Sequence, residues 1–107
     1  QGVALRVAEF SYADLAEVVE RAKAQGPKGL VVALDGLEDP HNLGALVRSA
    51  FALGAQGAVI PKDRAAGVTP TVVKASAGAA AHLPIARVTN LARALSAVPS
   101  PTRMNVP

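Results

Sequence analysis

Three short apolar runs, separated by helix-like sequence, constrain this chain more than any other feature. Leu30-Val31-Val32-Ala33-Leu34 is apolar at every position. A run so short and so continuous fits a strand buried on both faces. Gly57 to Ile60, closed by Pro61, and Leu83 to Val88 read the same way. Helical patterns lie around them. Leu15, Val18, Val19 and Ala22 form an apolar stripe, with Ser11 as N-cap, Asp14 three residues on, and Gln25-Gly26-Pro27 as the stop. A second helix is expected from about Leu43 to Leu53. Its inner face is Leu43, Leu46, Val47, Ala50 and Phe51, its N-cap Asn42, and Gly54 lies past its end. Thr69-Pro70 opens a third over about 70–80, and Thr89 caps a fourth reaching about Ala97. Repeated β-α-β implies an α/β fold, a mostly parallel sheet with helices on both faces. Residues 1–10 read as an extended lead-in. Residues 96–107 read as an irregular tail after a domain over 1–95, because three of the eight prolines fall there and periodicity fades.

A chain of 107 residues has room for one domain. It has no Cys, which excludes disulfides, thiolate nucleophiles and Cys-based zinc sites. Its aromatic residues are Phe10, Tyr12 and Phe51, too few for an RNA-binding sheet that stacks bases on several rings. No run reaches the roughly 18 apolar residues of a membrane helix, and no signal peptide opens the chain. A cytoplasmic location without membrane contact is therefore expected. Charge is uneven. Residues 1–39 carry four basic and seven acidic side chains, whereas residues 40–107 carry seven basic and one acidic, Asp63. That asymmetry suggests that one part meets an anion, often nucleic acid; a solvated basic surface explains it equally well.

In parallel α/β sheets, ligands bind beyond the carboxyl ends of strands. The loop after the first strand, Asp35 to Asn42, is the most distinctive stretch of this kind. Gly44 follows in the first helical turn, where a missing side chain lets another backbone or a ligand approach. Arg48 lies on the face opposite Leu43, Val47 and Ala50. It stands about 9 Å beyond Asn42 along the helix axis, so the two are placed to line one cleft but not to share a ligand atom. Each has a plainer explanation, Asn42 as a cap and Arg48 as a solvated surface residue. Asp35, Glu38 and Asp39 crowd the loop without metal-ligand spacing. His41 and His82 have no evident partner. No G-x-G-x-x-G is present. Ser76-Ala77-Gly78-Ala79 is small enough for tight packing or for close approach of a ligand. Lys62, Arg64, Lys74, Arg87 and Arg93 are candidate phosphate contacts.

The run from Leu34 to Ala50, with its Asp-Pro-x-Asn-Leu-Gly-x-x-x-Arg-Ser-Ala pattern, resembles the first signature motif of the SpoU family. These are RNA 2′-O-ribose methyltransferases of the SPOUT, or α/β-knot, superfamily. Residues 71–79 and Leu83-Pro84-Ile85 extend the likeness, and Gln1-Gly2-Val3 resembles the joint to an RNA-binding domain in the ribosomal-RNA branch. The resemblance implies S-adenosylmethionine as cofactor, RNA (ribosomal above all) as partner, and a homodimer at full length. It implies that Asn42 shapes the active site and that Arg48 activates the ribose 2′-hydroxyl or binds the neighbouring phosphate. Lys62, Arg64 and Lys74 are the candidate RNA contacts, the cofactor-binding residues stay unknown because the main motifs are absent, with Ser76 and Gly78 as candidates, and no metal is expected. A guanidinium suits that role because it stabilises a developing oxyanion; it is a poor base, so phosphate or water would take the proton. The family's second and third motifs are not found here. The chain is therefore expected to be the front of the catalytic domain, without the knot-forming part and inactive alone.

Two other readings are compatible with the residues. One is a non-catalytic α/β module that binds RNA or a partner chain through its basic half. The other is a carboxylate-based metal enzyme using Asp35 and Asp39.

Overall fold

The computed structural model describes residues 10–36, 38–63, 67–98 and 102–106. The extended lead-in expected over residues 1–10 falls outside these except for Phe10. In order come α1 (Leu15–Ala24), β1 (Val31–Leu34), α2 (Pro40–Ala52), β2 (Gly57–Pro61), α3 (Pro70–Ala75), β3 (Ile85–Val88), α4 (Leu91–Leu95) and β4 (Arg103–Val106). Short 3-10 turns occupy Gly26–Lys28 and Ala79–Ala81. The four strands form one parallel sheet in the order β3-β2-β1-β4. The expected α/β architecture is therefore the observed one.

Strand alternation sorts the core into two layers. Val32 and Leu34 of β1, Ala58 and Ile60 of β2 and Ile85 of β3 meet Leu43, Val47 and Ala50 of α2 and Val72 of α3. Val31, Val59 and Ala86 point the other way, onto Val18, Val19 and Ala22 of α1 and Ala94 of α4. Both faces are covered, so both strand parities are apolar, which is why the runs read as continuous. Each fully buried Leu, Ile or Val contributes about 1.5–3 kcal/mol relative to exposure.

Two close approaches fix how the helices sit. A Cβ on Gly57 would come within 2.6 Å of a Val18 methyl, so only glycine lets α1 lie on β2 there. A Cβ on Gly44 would meet the Ala75 Cβ and sit 2.9 Å from the Val72 carbonyl oxygen. Gly44 is thus where α2 crosses α3 backbone to backbone.

Several local expectations are corrected. The region of residues 96–107 expected to be an irregular tail contains β4, which pairs in parallel with β1 from Val31↔Arg103 to Leu34↔Val106. Its side chains are exposed or half-buried; main-chain bonding holds an edge strand without an apolar signature. The second helix starts at Pro40, not Leu43, and its N-cap is Asp39, whose Oδ1 accepts from the His41 N–H at 2.8 Å. The first helix is capped at Asp14 rather than Ser11. The fourth is capped by Asn90, which accepts from the Arg93 N–H at 2.9 Å, in place of Thr89. The third keeps its Thr69 cap, 3.3 Å from the Val72 nitrogen. It stops early because Ala77 (φ 55°) and Gly78 (φ 89°) are left-handed.

Candidate functional site

The strand order places β1 at the point where the sheet's winding reverses: β2 and β3 lie to one side of it and β4 to the other. In open parallel sheets the crevice beyond such a strand is where ligands bind. The chain leaves β1 at Asp35, whose N–H donates to the Val106 carbonyl at 2.9 Å and ties the loop to β4. Asp39 then caps α2, and Pro40 occupies its first position, where the missing N–H costs nothing.

Because Asp39 does the capping, the side chain of Asn42 is not spent on the helix end. Asn42 is exposed in the first turn of α2, and its amide has no partner among the described residues. Arg48 is also exposed and makes no ion pair or hydrogen bond among them. With Leu43, Gly44, Val47 and Ala50 turned to the core, both lie on the solvent-facing arc of α2 together with Ala45 and Ser49. At 100° per residue Asn42 and Arg48 are about 120° apart around the axis and ~9 Å apart along it. They share a flank of one helix, and neither lines the clefts described below.

Ser76 and Gly78 differ from each other. Ser76 is fully buried; its hydroxyl donates to the Val73 carbonyl at 2.7 Å and accepts from the Ala80 N–H at 3.1 Å. That hydroxyl stitches the end of α3 to the following turn. Gly78 is exposed, with nothing within 4 Å of where its Cβ would be. Neither lines the clefts described below.

The basic candidates fall into two groups. Lys62 and Lys74 line one cleft of about 950 Å³ beyond the carboxyl ends of β2 and β3, with Phe10, Tyr12, Val68, Val73 and Arg87. Arg64 lies outside the described residues. Arg93 is exposed on α4, on the other face of the sheet. Tyr12 organises the cleft. Its hydroxyl oxygen accepts from the Val68 N–H at 2.9 Å and from Arg87 Nη1 at 3.3 Å. The Arg87 guanidinium lies 4.9 Å from the Tyr12 ring centroid, within cation–π range. The Phe10 ring meets that of Tyr12 edge-on, with centroids 5.0 Å apart. Among the described residues no acidic side chain lines this cleft. Sequence reasoning did not find Tyr12, because its partners are 56 and 75 residues away. A smaller cleft at the other end of the sheet is bordered by Phe51 and His82, whose rings stack with centroids 5.9 Å apart.

Among the described residues no three of His, Cys, Asp and Glu gather to hold a metal. Asp39 is engaged in its helix cap. No described helix is long and apolar enough to cross a membrane.

Comparison with known proteins agrees with this fold. A putative TrmH-family tRNA/rRNA methyltransferase from Bacillus subtilis is 54% identical over 95 residues, covering 89% of this chain and 38% of that protein. An uncharacterised tRNA/rRNA methyltransferase from Synechocystis is 50% identical over 95 residues, covering 89% of this chain and 25% of that protein. This chain thus spans a quarter to two fifths of the length of these relatives. Among solved structures, the SpoU methyltransferase AviRb from Streptomyces viridochromogenes superposes with a TM-score of 0.65 at 32% identity, over 82% of this chain and 32% of that one. An AdoMet-bound rRNA methyltransferase from Sinorhizobium meliloti does so with a TM-score of 0.60 at 32% identity, over 73% and 28%. The family model described as the SpoU rRNA Methylase family matches residues 29–105, which include β1 to β3 and most of β4. The chain belongs to the SpoU rRNA methylase family.

Proposed function

We propose that this chain is the part of an S-adenosylmethionine-dependent RNA 2′-O-ribose methyltransferase that receives the ribose, and that ribosomal RNA is the substrate of the whole protein. The observation that carries this reading is the division of labour at the start of α2. Asp39 and Pro40 build the helix end, which leaves the Asn42 amide to act outward beside the carboxyl end of β1, while the Arg48 guanidinium, ~9 Å further along α2, is exposed without a partner among the described residues. A solved RNA 2′-O ribose methyltransferase at a TM-score of 0.53 and 27% identity supports the ribose as acceptor.

The 2′-oxygen must lose its proton as it becomes a nucleophile. Arg48 stabilises the charge that builds on that oxygen, or pairs with the adjacent phosphate and so holds the ribose. A guanidinium keeps its own protons, so the proton leaves to phosphate or water. Asn42 offers one carbonyl and two N–H groups for orienting the sugar. When bound, S-adenosylmethionine supplies an electrophilic methyl group. A homodimer in the cytoplasm completes this reading of the whole protein.

The test is chemical. The whole protein is incubated with ribosomal RNA and methyl-labelled S-adenosylmethionine, and the RNA is hydrolysed in alkali. A 2′-O-methyl group blocks cleavage of its own phosphodiester, so label in alkali-stable dinucleotides is expected. Label recovered only in mononucleotides would place the methyl group on a base and overturn the assignment.

A further inference from the structure

We infer that the cleft built around Tyr12 is a subsite for a single-stranded RNA nucleotide that flanks the one being modified. The inference rests on RNA as the substrate, and adds a site and residues outside α2.

Three features of the cleft point to this occupant. The first is charge. Lys62, Lys74 and Arg87 approach from three different segments, the end of β2, α3 and β3, and among the described residues no carboxylate lines the cleft to neutralise them. Such a wall suits a polyanionic backbone. The second is the apolar, aromatic part of the lining: Phe10, Tyr12, Val68 and Val73. A phosphate alone has no use for it, whereas a base does, and stacking on an aromatic ring is worth about 1–3 kcal/mol per base. The third is preorganisation. The Tyr12 hydroxyl accepts two hydrogen bonds, from the Val68 N–H and Arg87, which ties the segment before α1 to the loop before α3 and to β3. Arg87 is held over the ring with one N–H spent, and its side chain is exposed. A guanidinium fixed in this way loses little freedom when a phosphate arrives. The phenolic proton has no acceptor among the described residues, which leaves it for a ribose or phosphate oxygen.

A volume of about 950 Å³ leaves room for one base and the phosphates on either side of it. An RNA duplex is the wrong shape, because its bases are stacked inward and unavailable to a ring. Scarcity of aromatic residues excludes a sheet that stacks several bases, but a single ring pair is enough for one.

The experiment measures binding of a fluorescent 12-nucleotide single-stranded RNA to the 107-residue chain by anisotropy across a salt series. Photo-crosslinking with a 4-thiouridine-substituted version follows. Removing two phosphate contacts in Lys62→Ala/Lys74→Ala is expected to flatten the slope of log K against log salt by about 1.4, and to weaken binding about 25-fold at 0.1 M salt. The charge-matched control Lys23→Ala/Lys28→Ala removes exposed cations from α1 and the turn after it and should lose far less. Cross-links are expected on Phe10 or Tyr12. Equal losses in the two double variants, or cross-links confined to other surfaces, would overturn the inference. The readout is binding, so it separates from the ribose assignment. A protein that methylates ribose but fails here loses only the cleft. One that binds and cross-links here without methylating ribose keeps the cleft and loses the catalytic reading.

Discussion

Replacing Gly44 by alanine sets two opposed effects against each other. In an isolated helix the change stabilises by about 1 kcal/mol, because alanine restricts the unfolded chain and glycine does not. In this fold the new methyl group would meet the Ala75 Cβ, the Val72 carbonyl oxygen at 2.9 Å and the Ala75 carbonyl carbon at 3.1 Å. Two of those atoms are main chain and have no rotamer to move into, so α2 and α3 must separate. Overpacking of this kind costs about 1–3 kcal/mol, and the upper half of that range applies when backbone has to shift. The net expectation is a loss of about 1–2 kcal/mol. With a urea m-value of about 1–3 kcal/mol/M for a small domain, the midpoint falls by roughly 1 M. Ala45→Gly, on the exposed side of the same helix, is the reference: it should lose about 1 kcal/mol from propensity alone. Urea denaturation followed by far-ultraviolet circular dichroism measures both. If Gly44→Ala proves as stable as the parent chain or more so, the close crossing of α2 and α3 is not present in solution.

Two further perturbations test the groups that frame the site. Asp39→Ala should cost about 1 kcal/mol in thermal or urea unfolding, the usual worth of an N-cap; no loss would mean that Asn42 caps the helix after all and is not available to a ligand. Tyr12→Phe keeps the ring but strips the Val68 N–H and Arg87 of their shared acceptor. It should destabilise by about 1–3 kcal/mol and speed amide exchange at Val68, whereas unchanged exchange there would show that the hydroxyl does not hold that loop.

The strands of the core were legible because both faces of the sheet are covered. Val31 and Val32 point in opposite directions, yet both are buried, and an unbroken apolar run follows. β4 was not legible for the opposite reason. Arg103-Met104-Asn105-Val106 lies at the sheet edge, and what places it is the hydrogen-bonding edge of β1, which no side-chain pattern records. Helix ends were misplaced by a few residues wherever two capping residues competed. At α2 the Asp39-Pro40 pair outweighs Asn42, since proline is suited to the first helical position. Arg48 was placed correctly on the outer face of α2 by periodicity alone. The meeting of Lys62, Lys74 and Arg87 around Tyr12 depends on how β2, β3 and the segment before α1 fold together. Local patterns reveal each cation but not their convergence. Ser76 shows the reverse: a small polar residue suggestive of a ligand turns out to serve the main chain.

The most direct test of the central claim is the turnover of the whole protein carrying Arg48→Ala, measured as alkali-stable methyl label in ribosomal RNA per unit time. Circular dichroism and unfolding should match the parent, because Arg48 is exposed and bonded to no described residue. Loss of one donor at a developing oxyanion lowers turnover by about 100- to 1,000-fold, and that is the predicted result, with Arg48→Lys recovering part of it. Near-parental turnover in Arg48→Ala would contradict the claim that this guanidinium acts on the ribose.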